Sequence, residues 1–240
     1  MKTEDNPPFS MSILMGQAHD SDVSYSETRY ALRDKLNIAH TVPILLTVSR
    51  LAGWKRVDRA ISAMPDVLKS FPNCVLMIVG DGTERDKLQS LAKQLGIEKS
   101  VIFTGAVKQK DVWKYYAIAD IFLSLYDLSN VGNPLIEAMR YGKAIITLDI
   151  GDTYKVIKNE FNGILLPVNK SDRIAATIVY LLSDEKLRKY LGCNAQEYAK
   201  QNFWSWNERM NAELAVVNKL RENWFHEAVV DTKVTSIEIS

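Results

Sequence analysis

From Ile44 onward the chain alternates short apolar runs with longer stretches of helical spacing. The runs are Ile44–Val48, Cys74–Val79, Val101–Phe103, Ile121–Leu125, Ala144–Thr147 and Ile164–Leu166, most of them rich in β-branched residues. They are almost wholly apolar instead of alternating, which is what burial on both faces of a parallel sheet requires. Between them apolar residues recur every three or four positions: Val57, Ile61, Met64, Leu68; then Leu88, Leu91, Leu95; then Val112, Trp113, Tyr116; then Leu135, Met139. That is the period of a helix with one buried side. Strand and helix in repeated alternation predict an α/β domain, a Rossmann-like doubly wound parallel sheet of about six strands with helices on both faces.

Boundary residues refine this pattern. Thr83 with Asp86 and Ser205 with Glu208 are spaced like capping boxes, and Pro134 after Asn133 suits an N-cap followed by a first helical residue. Gly96 and Gly142 stand where helices should stop. Pro65 interrupts its helix and predicts a kink or a split. After Ser171 only helices are expected: Ile174–Leu182, Glu185–Ala199 and Trp206–Trp224, making an all-helical C-terminal end. The last carries Trp206, Met210, Leu214, Val217, Leu220 and Trp224 as an apolar stripe. Packing on the parent domain is the plain expectation for it, and cover for a partner domain the sharper one. Glu27–Ile38 reads as a short amphipathic helix behind a polar start. The expected organisation is a linker with a short helix over 1–38, one domain over 39–225 and a tail over 226–240.

Composition removes several classes of function. With 47% apolar and 25% charged residues the chain is an ordinary globular one. Thirty Lys plus Arg against 29 Asp plus Glu leave a formal charge of +1. No long-range field holds a polyanion, so no nucleic acid is expected as a partner, and any phosphate site must be local. The two cysteines, Cys74 and Cys193, exclude a disulfide scaffold and a four-cysteine zinc site. No apolar stretch approaches the ~20 residues that span a bilayer, and no signal-peptide pattern opens the chain. The expectation is a cytoplasmic protein without direct membrane insertion.

Open parallel sheets bind ligands at the carboxyl ends of their strands, so candidate chemistry lies just after each strand. After the first, Arg50 and Lys55 place two cations in a turn, where they could grip a diphosphate. After the second, Gly80-Asp81-Gly82 starts like a dinucleotide fingerprint but has Arg85 at the third glycine's place, and a tight turn explains it equally well. The fourth leads into Asp127, Leu128, Ser129 and Asn130, then Gly132-Asn133-Pro134-Leu135. The amides of Gly132, Asn133 and Leu135 at a helix start would form an anion site. Glu137, one turn further in, could accept hydrogen bonds from the vicinal hydroxyls of a ribose, or simply favour the helix N-terminus.

Arg50 and Lys55, Gly80-Asp81-Gly82, Val101-Ile102-Phe103-Thr104-Gly105, and the segment Asn133-Pro134-Leu135-Ile136-Glu137-Ala138-Met139-Arg140-Tyr141-Gly142-Lys143 resemble, in order and spacing, the group-1 glycosyltransferases, glycosyltransferase family 4. The resemblance covers about Ile38 to Leu220 and implies one lobe of a two-lobed GT-B fold, the C-terminal lobe that binds the nucleotide-diphosphate sugar. It implies that Arg50 and Lys55 hold the pyrophosphate and Glu137 the ribose. The amides from Gly132 to Leu135 would take the distal phosphate and sugar, and Ile102 to Gly105 would line the base pocket. The family retains anomeric configuration and uses no metal, so no cofactor is implied, and the cations stabilise charge on the leaving diphosphate.

Two departures stand out. Where the family has a first glutamate, seven intervening residues ahead of the second, this chain has Ser129, and Asp127 or Asn130 could take over its contact with the donor hexose. The N-terminal lobe that binds acceptor has no counterpart here. The three histidines, His19, His40 and His226, match no position in that lobe and read as surface residues. The expected function is donor binding in a retaining, metal-independent hexosyltransferase acting on a glycan or lipid-linked acceptor, at most peripheral to a membrane. The alternatives are a noncatalytic nucleotide-sugar module that needs a partner lobe, and an NAD-dependent oxidoreductase.

Overall fold

A computed structural model describes residues 30–203, 208 and 210–221 of the chain. Its sheet has six strands: β1 (Ile44–Val48), β2 (Val75–Val79), β3 (Val101–Gly105), β4 (Ile121–Ser124), β5 (Ala144–Asp149) and β6 (Ile164–Pro167). They run in the order β3-β2-β1-β4-β5-β6, every pair parallel. All six fall within a residue or two of the apolar runs. The inner strands β1, β4 and β5 are buried along nearly their whole length, whereas the edge strands β3 and β6 are only partly buried. Unbroken apolar runs therefore mark strands covered on both faces.

The helices are α1 (30–35 among the described residues), α2 (Val57–Ser70), α3 (Arg85–Gln94), α4 (Gln109–Ile118), α5 (Asn133–Arg140), the single turn α6 (Thr153–Val156), α7 (Ile174–Ser183) and α8 (Glu185–Asn202). On one face Leu45, Ile78, Leu123 and Ile146 join Ile61 and Met64 of α2, Leu88 of α3 and Ile178 of α7 in one core. The alternate residues Leu46, Met77, Phe122 and Ile145 are equally buried and point to the other face, where Tyr116 of α4 meets Phe122 at 5.7 Å between ring centroids. Helix α8 lies against α5 and β5. A Cβ on Gly192 would sit 2.1 Å from the Gly142 carbonyl oxygen, so only glycine lets α8 approach the end of α5 this closely.

Several local expectations are corrected. Helix α2 runs unsplit through Pro65; its buried side, Val57, Ala60, Ile61, Met64 and Val67, holds it against the sheet despite the lost amide donor. The N-cap of α3 is Glu84, with no side-chain capping bond, so Thr83 and Asp86 do not form a capping box. Helix α5 starts one residue early: Gly132 is the N-cap, Asn133 is helical and Pro134 stands second. Gly96 and Gly142 do end α3 and α5, both at positive φ. Residues 30–202 lie in one compact unit, and the described residues from 203 onward belong to another. There 210–221 are helical, with Leu214, Val217 and Leu220 more than half exposed. Ser205, Trp206, Trp224, the linker before residue 30 and the tail over 226–240 lie outside the described residues, as do His19 and His226. His40 is exposed and pairs with Asp34 at 3.3 Å.

Below the sheet, at the amino end of β1, one charged side chain ties the approach segment down. Arg33 is 1% exposed and donates to the carbonyls of Ala39 (3.0 Å), Val42 (2.8 Å) and Ile118 (2.9 Å). Its guanidinium lies 3.6 Å from Asp120, whose other role is to accept the Ile44 amide at 2.8 Å. Removing one member of such a buried set strands the others without water. Arg33→Ala is expected to lower stability by about 3–5 kcal/mol, read as a fall in urea midpoint at unchanged slope; a loss under about 1 kcal/mol would show that this network is not needed.

Candidate functional site

The strand order reverses between β1 and β4, so the loops leaving these two strands diverge and open a crevice at their carboxyl ends. The β1 loop is fixed from the β2 side by backbone bonds: Ser49 N–H to Val79, Leu51 N–H to Asp81 and Glu84 N–H to Leu51. Gly80 and Gly82 permit that contact. A Cβ on Gly80, at φ +132, would stand 1.9 Å from the Ser49 oxygen, and one on Gly82 would stand 2.3 Å from the Leu51 oxygen. Asp81 accepts the Gly82 amide at 2.8 Å and pairs with Arg85 at 2.8 Å. Gly80-Asp81-Gly82 is thus a close-packed turn whose amide and carboxylate already have partners. Gly105, at φ +73, closes the neighbouring mouth and accepts the Gly80 amide at 3.0 Å. Ile102 sits lower, inside β3 opposite Met77.

The two expected cations do lie on the β1 loop, and among the described residues neither takes part in an ion pair. Arg50 is exposed and Lys55 half-buried, at the end of the 3-10 turn Gly53–Lys55. The Lys55 ammonium lies 4.0 Å from the ring centre of Trp54 and 3.8 Å from that of Tyr126. Burial, and then the charge of Arg50, lower the Lys55 pKa from 10.5 to about 8. An incompletely hydrated ammonium beside a second cation is an attractive partner for a dianion.

The β4 loop is locked to this turn. Tyr126 is buried and donates its hydroxyl to the Val48 carbonyl at 3.2 Å, and the Asp127 amide donates to the Trp54 carbonyl at 3.0 Å. The Asp127 carboxylate lies between Arg56 (3.1 Å) and Arg59 (2.7 Å). Desolvation would raise its pKa, but the two guanidiniums outweigh this and hold it below the ordinary value. Asn130 is fully buried; its oxygen accepts from the Ser124 hydroxyl (2.9 Å) and the Tyr126 amide (3.0 Å), while its main-chain N–H donates to the Thr153 hydroxyl at 3.0 Å. This side chain faces into its own loop, so its expected contact with a sugar is not what the geometry provides. Ser129 is exposed, with only a long bond of 3.4 Å from the Val131 amide.

At the start of α5 the Leu135 amide bonds to the Gly132 carbonyl at 3.0 Å. It is therefore turned into the helix and drops out of the expected anion site, and Pro134, which has no amide hydrogen, adds nothing to it. Glu137 is 6% exposed, more enclosed than a ribose ligand on an open rim, and one of its oxygens accepts from Gln109 at 3.2 Å. Burial raises its pKa, and the neighbouring Tyr116 and Gln109 side chains offset only part of that. The Tyr116 hydroxyl donates to the Pro134 carbonyl at 3.1 Å. Arg56, Arg59 and Gln109 escaped the sequence reading, and Tyr116 entered it only as an apolar helix position. Gln109 opens the helix after β3, so the rule of reading just past each strand would have reached it. Among the described residues no three His, Cys, Asp or Glu side chains gather to hold a metal ion, and no helix is long and apolar enough to cross a membrane.

This geometry defines a doubly wound α/β domain with two basic side chains, Arg50 and Lys55, on the loop at its switch point. Comparison with known proteins narrows the class. The family described as glycosyl transferases group 1 matches residues 28–198, and the chain belongs to that family. An uncharacterized glycosyltransferase of Methanocaldococcus jannaschii is 31% identical over 188 residues, 78% of this chain and 47% of that protein. The GDP-mannose-dependent alpha-(1-6)-phosphatidylinositol monomannoside mannosyltransferase of Mycolicibacterium smegmatis is 26% identical over 188 residues, 75% of this chain and 47% of that one. The crystal structure of the C-terminal domain of a group 1 family glycosyl transferase, LpcC, from Francisella tularensis superposes with a TM-score of 0.64 at 26% identity, covering 73% of this chain and 92% of that domain. The chain spans about half the length of the two relatives. Membership of this family, together with the close-packed turn at Gly80-Asp81-Gly82, removes the NAD-dependent oxidoreductase reading.

Asn130→Ala leaves the Ser124 hydroxyl and the Tyr126 amide without their acceptor. It is expected to cost about 2–3 kcal/mol of stability, measured by denaturant unfolding. Unchanged stability with weakened sugar binding would instead return Asn130 to the role of a donor contact.

Proposed function

We propose that this chain is the donor-binding lobe of a retaining, metal-independent hexosyltransferase of the GT-B type. The donor is a nucleotide-diphosphate sugar carrying UDP or GDP, and the hexose goes to a hydroxyl of a glycan or lipid-linked acceptor held by a separate N-terminal lobe. One observation supports the reading: Arg50 and Lys55, outside the ion pairs among the described residues, lie on the loop that leaves β1, and the loop of its neighbour β4 leads into α5. The 92% coverage of a group 1 C-terminal domain and the half-length match to a longer relative are consistent with a single lobe. The GDP-mannose dependence stated for the Mycolicibacterium relative supports a nucleotide-sugar donor.

In this reading Arg50 and Lys55 hold the pyrophosphate, and the amides at Gly132 and Asn133 meet the distal phosphate and sugar. Glu137 takes the ribose hydroxyls in exchange for its bond from Gln109, and the β3 end at Gly105 borders the base. As the glycosidic bond breaks, negative charge grows on the diphosphate, and the two fixed cations stabilise it without waiting for solvent to reorganise. The domain would occupy 39–225 with a linker before it and a tail after it, and the whole enzyme would act in the cytoplasm. A second reading, a noncatalytic nucleotide-sugar module, is favoured by one feature alone, the exposed Ser129 at the place of the family's first glutamate. Adding the acceptor lobe and measuring transfer separates the two.

A thermal-shift panel of UDP, GDP and NAD on the 240-residue chain is expected to show stabilisation by one of the first two and none by NAD. Affinity should be unchanged by EDTA. Arg50→Ala should weaken nucleotide binding by about 10- to 100-fold, the worth of a charged hydrogen bond. Indifference to Arg50 would overturn the reading.

The same site predicts a pH dependence. Lys55 binds a diphosphate in its protonated form, and its free-state pKa is about 8. The ligand favours the proton, so affinity holds below that pH and declines as pH rises through and above it. Lys55→Arg keeps its charge and should flatten the decline, as followed by calorimetric titration across pH.

A further inference from the structure

The Gly53–Lys55 turn is closed by two main-chain bonds, Lys55 N–H to Ala52 at 2.9 Å and Arg56 N–H to Gly53 at 3.2 Å. No side chain caps it, and it ends at Arg56, whose φ of 46° and ψ of 43° lie in the left-handed region that is strained for a non-glycine residue. Those two bonds close the turn on itself, and the β4 loop ties it to the rest of the site. Three successive residues of the turn are gripped by two successive residues of the β4 loop. The Trp54 carbonyl accepts the Asp127 amide, the Lys55 ammonium lies over the Tyr126 ring, and the Arg56 guanidinium bonds both oxygens of Asp127 at 3.2 and 3.1 Å. Arg59, a turn into α2, braces the grip by donating to the Leu125 carbonyl at 2.7 Å and pairing with Asp127 at 2.7 Å. Asp58 holds the opposite side of Arg56 at 3.0 Å.

We infer that Asp127 is a positioning residue: it clamps the Lys55-bearing turn to the β4 loop through Arg56 and Arg59, and does not itself bind the donor sugar. This rests on the donor site proposed above. Both Asp127 oxygens already receive guanidinium hydrogens, so a hexose hydroxyl would have to displace a charged partner to reach them. Lys55 has no hydrogen-bonding anchor of its own among the described residues. Its ammonium is located by the Trp54 and Tyr126 rings, whose centroids are 6.0 Å apart, and that spacing persists only while the two loops stay joined. A cation held in advance loses less freedom when the diphosphate arrives.

Two ligands separate positioning from sugar contact. Against Asp127→Asn and Asp127→Ala, a clamp predicts that UDP and UDP-glucose, or GDP and GDP-mannose if that base is bound, lose affinity by the same factor of about ten. A sugar ligand would weaken only the nucleotide sugar, and that result would overturn the inference. Asp127→Glu, which keeps the carboxylate, should recover most of the loss. Arg56→Ala should reproduce it, with little further loss in the double variant, because the two residues act as one unit.

A second measurement does not need a nucleotide. NMR titration of the Lys55 side chain in the free chain should give about 8 in the wild type and a higher value in Asp127→Asn, as the released turn exposes the ammonium to water. Loss of a negative charge alone would move it down, so the sign distinguishes loosening from a field effect. An unchanged or lowered Lys55 pKa overturns the inference. If the wild-type chain binds neither UDP nor GDP, the donor-site reading falls, while this titration still decides whether Asp127 places Lys55.

Discussion

Two loops that leave neighbouring parallel strands in opposite directions have to be held against each other by something other than the sheet. Strands β1 and β4 pair over only a short register, Leu45 with Ile121 and Leu46 with Phe122, and beyond their carboxyl ends the backbone ladder stops. The two sides are joined by one main-chain bond, Asp127 N–H to Trp54, by the Tyr126 hydroxyl to Val48 and Arg59 to Leu125, and by an ion-pair group of Asp58, Arg56, Asp127 and Arg59. The crevice between β1 and β4, the position of Lys55 and the entry to α5 all depend on that junction.

The electrostatics of the site follow from how the basic side chains are divided. Arg33, Arg56, Arg59 and Arg85 are each committed to a carboxylate or a carbonyl. Arg50 and Lys55 stand outside these pairs, and one of them is partly desolvated. A chain with a formal charge of only +1 can still present a local positive site, because fields inside a narrow cleft depend on the nearest charges and not on the total. The opposite pole is Glu137, kept enclosed with Gln109 as its hydrogen-bond donor. A carboxylate whose desolvation is incompletely offset gains from a ligand that brings hydroxyl donors.

The fold was legible early because a buried parallel sheet demands apolar runs, and each of the six runs became a strand. Helix ends were harder. Asn133 has the composition of an N-cap, yet Gly132 takes the place, since the helix begins where the Leu135 and Ile136 amides find the Gly132 carbonyl. Pro65 looked like a kink or a break, and burial of six residues of α2 carried the helix through it. In both places tertiary packing outweighed a local preference.

The chain of residues by itself determined the class of fold, the family and the cations to watch, because periodicity and motif spacing are properties of neighbours in sequence. Only the folded structure decided what those residues are doing. Asn130 and Asp127, three apart and both plausible sugar ligands on paper, differ because one faces inward to Ser124 and Tyr126 and the other outward to Arg56, just before α2, and Arg59 in its first turn. Those partners lie far from Asp127 along the chain, and they meet it only once β1 and β4 stand side by side. A side chain's hydrogen-bonding capacity is written in its chemistry, but the partner that takes up that capacity is set by the packing of the strands.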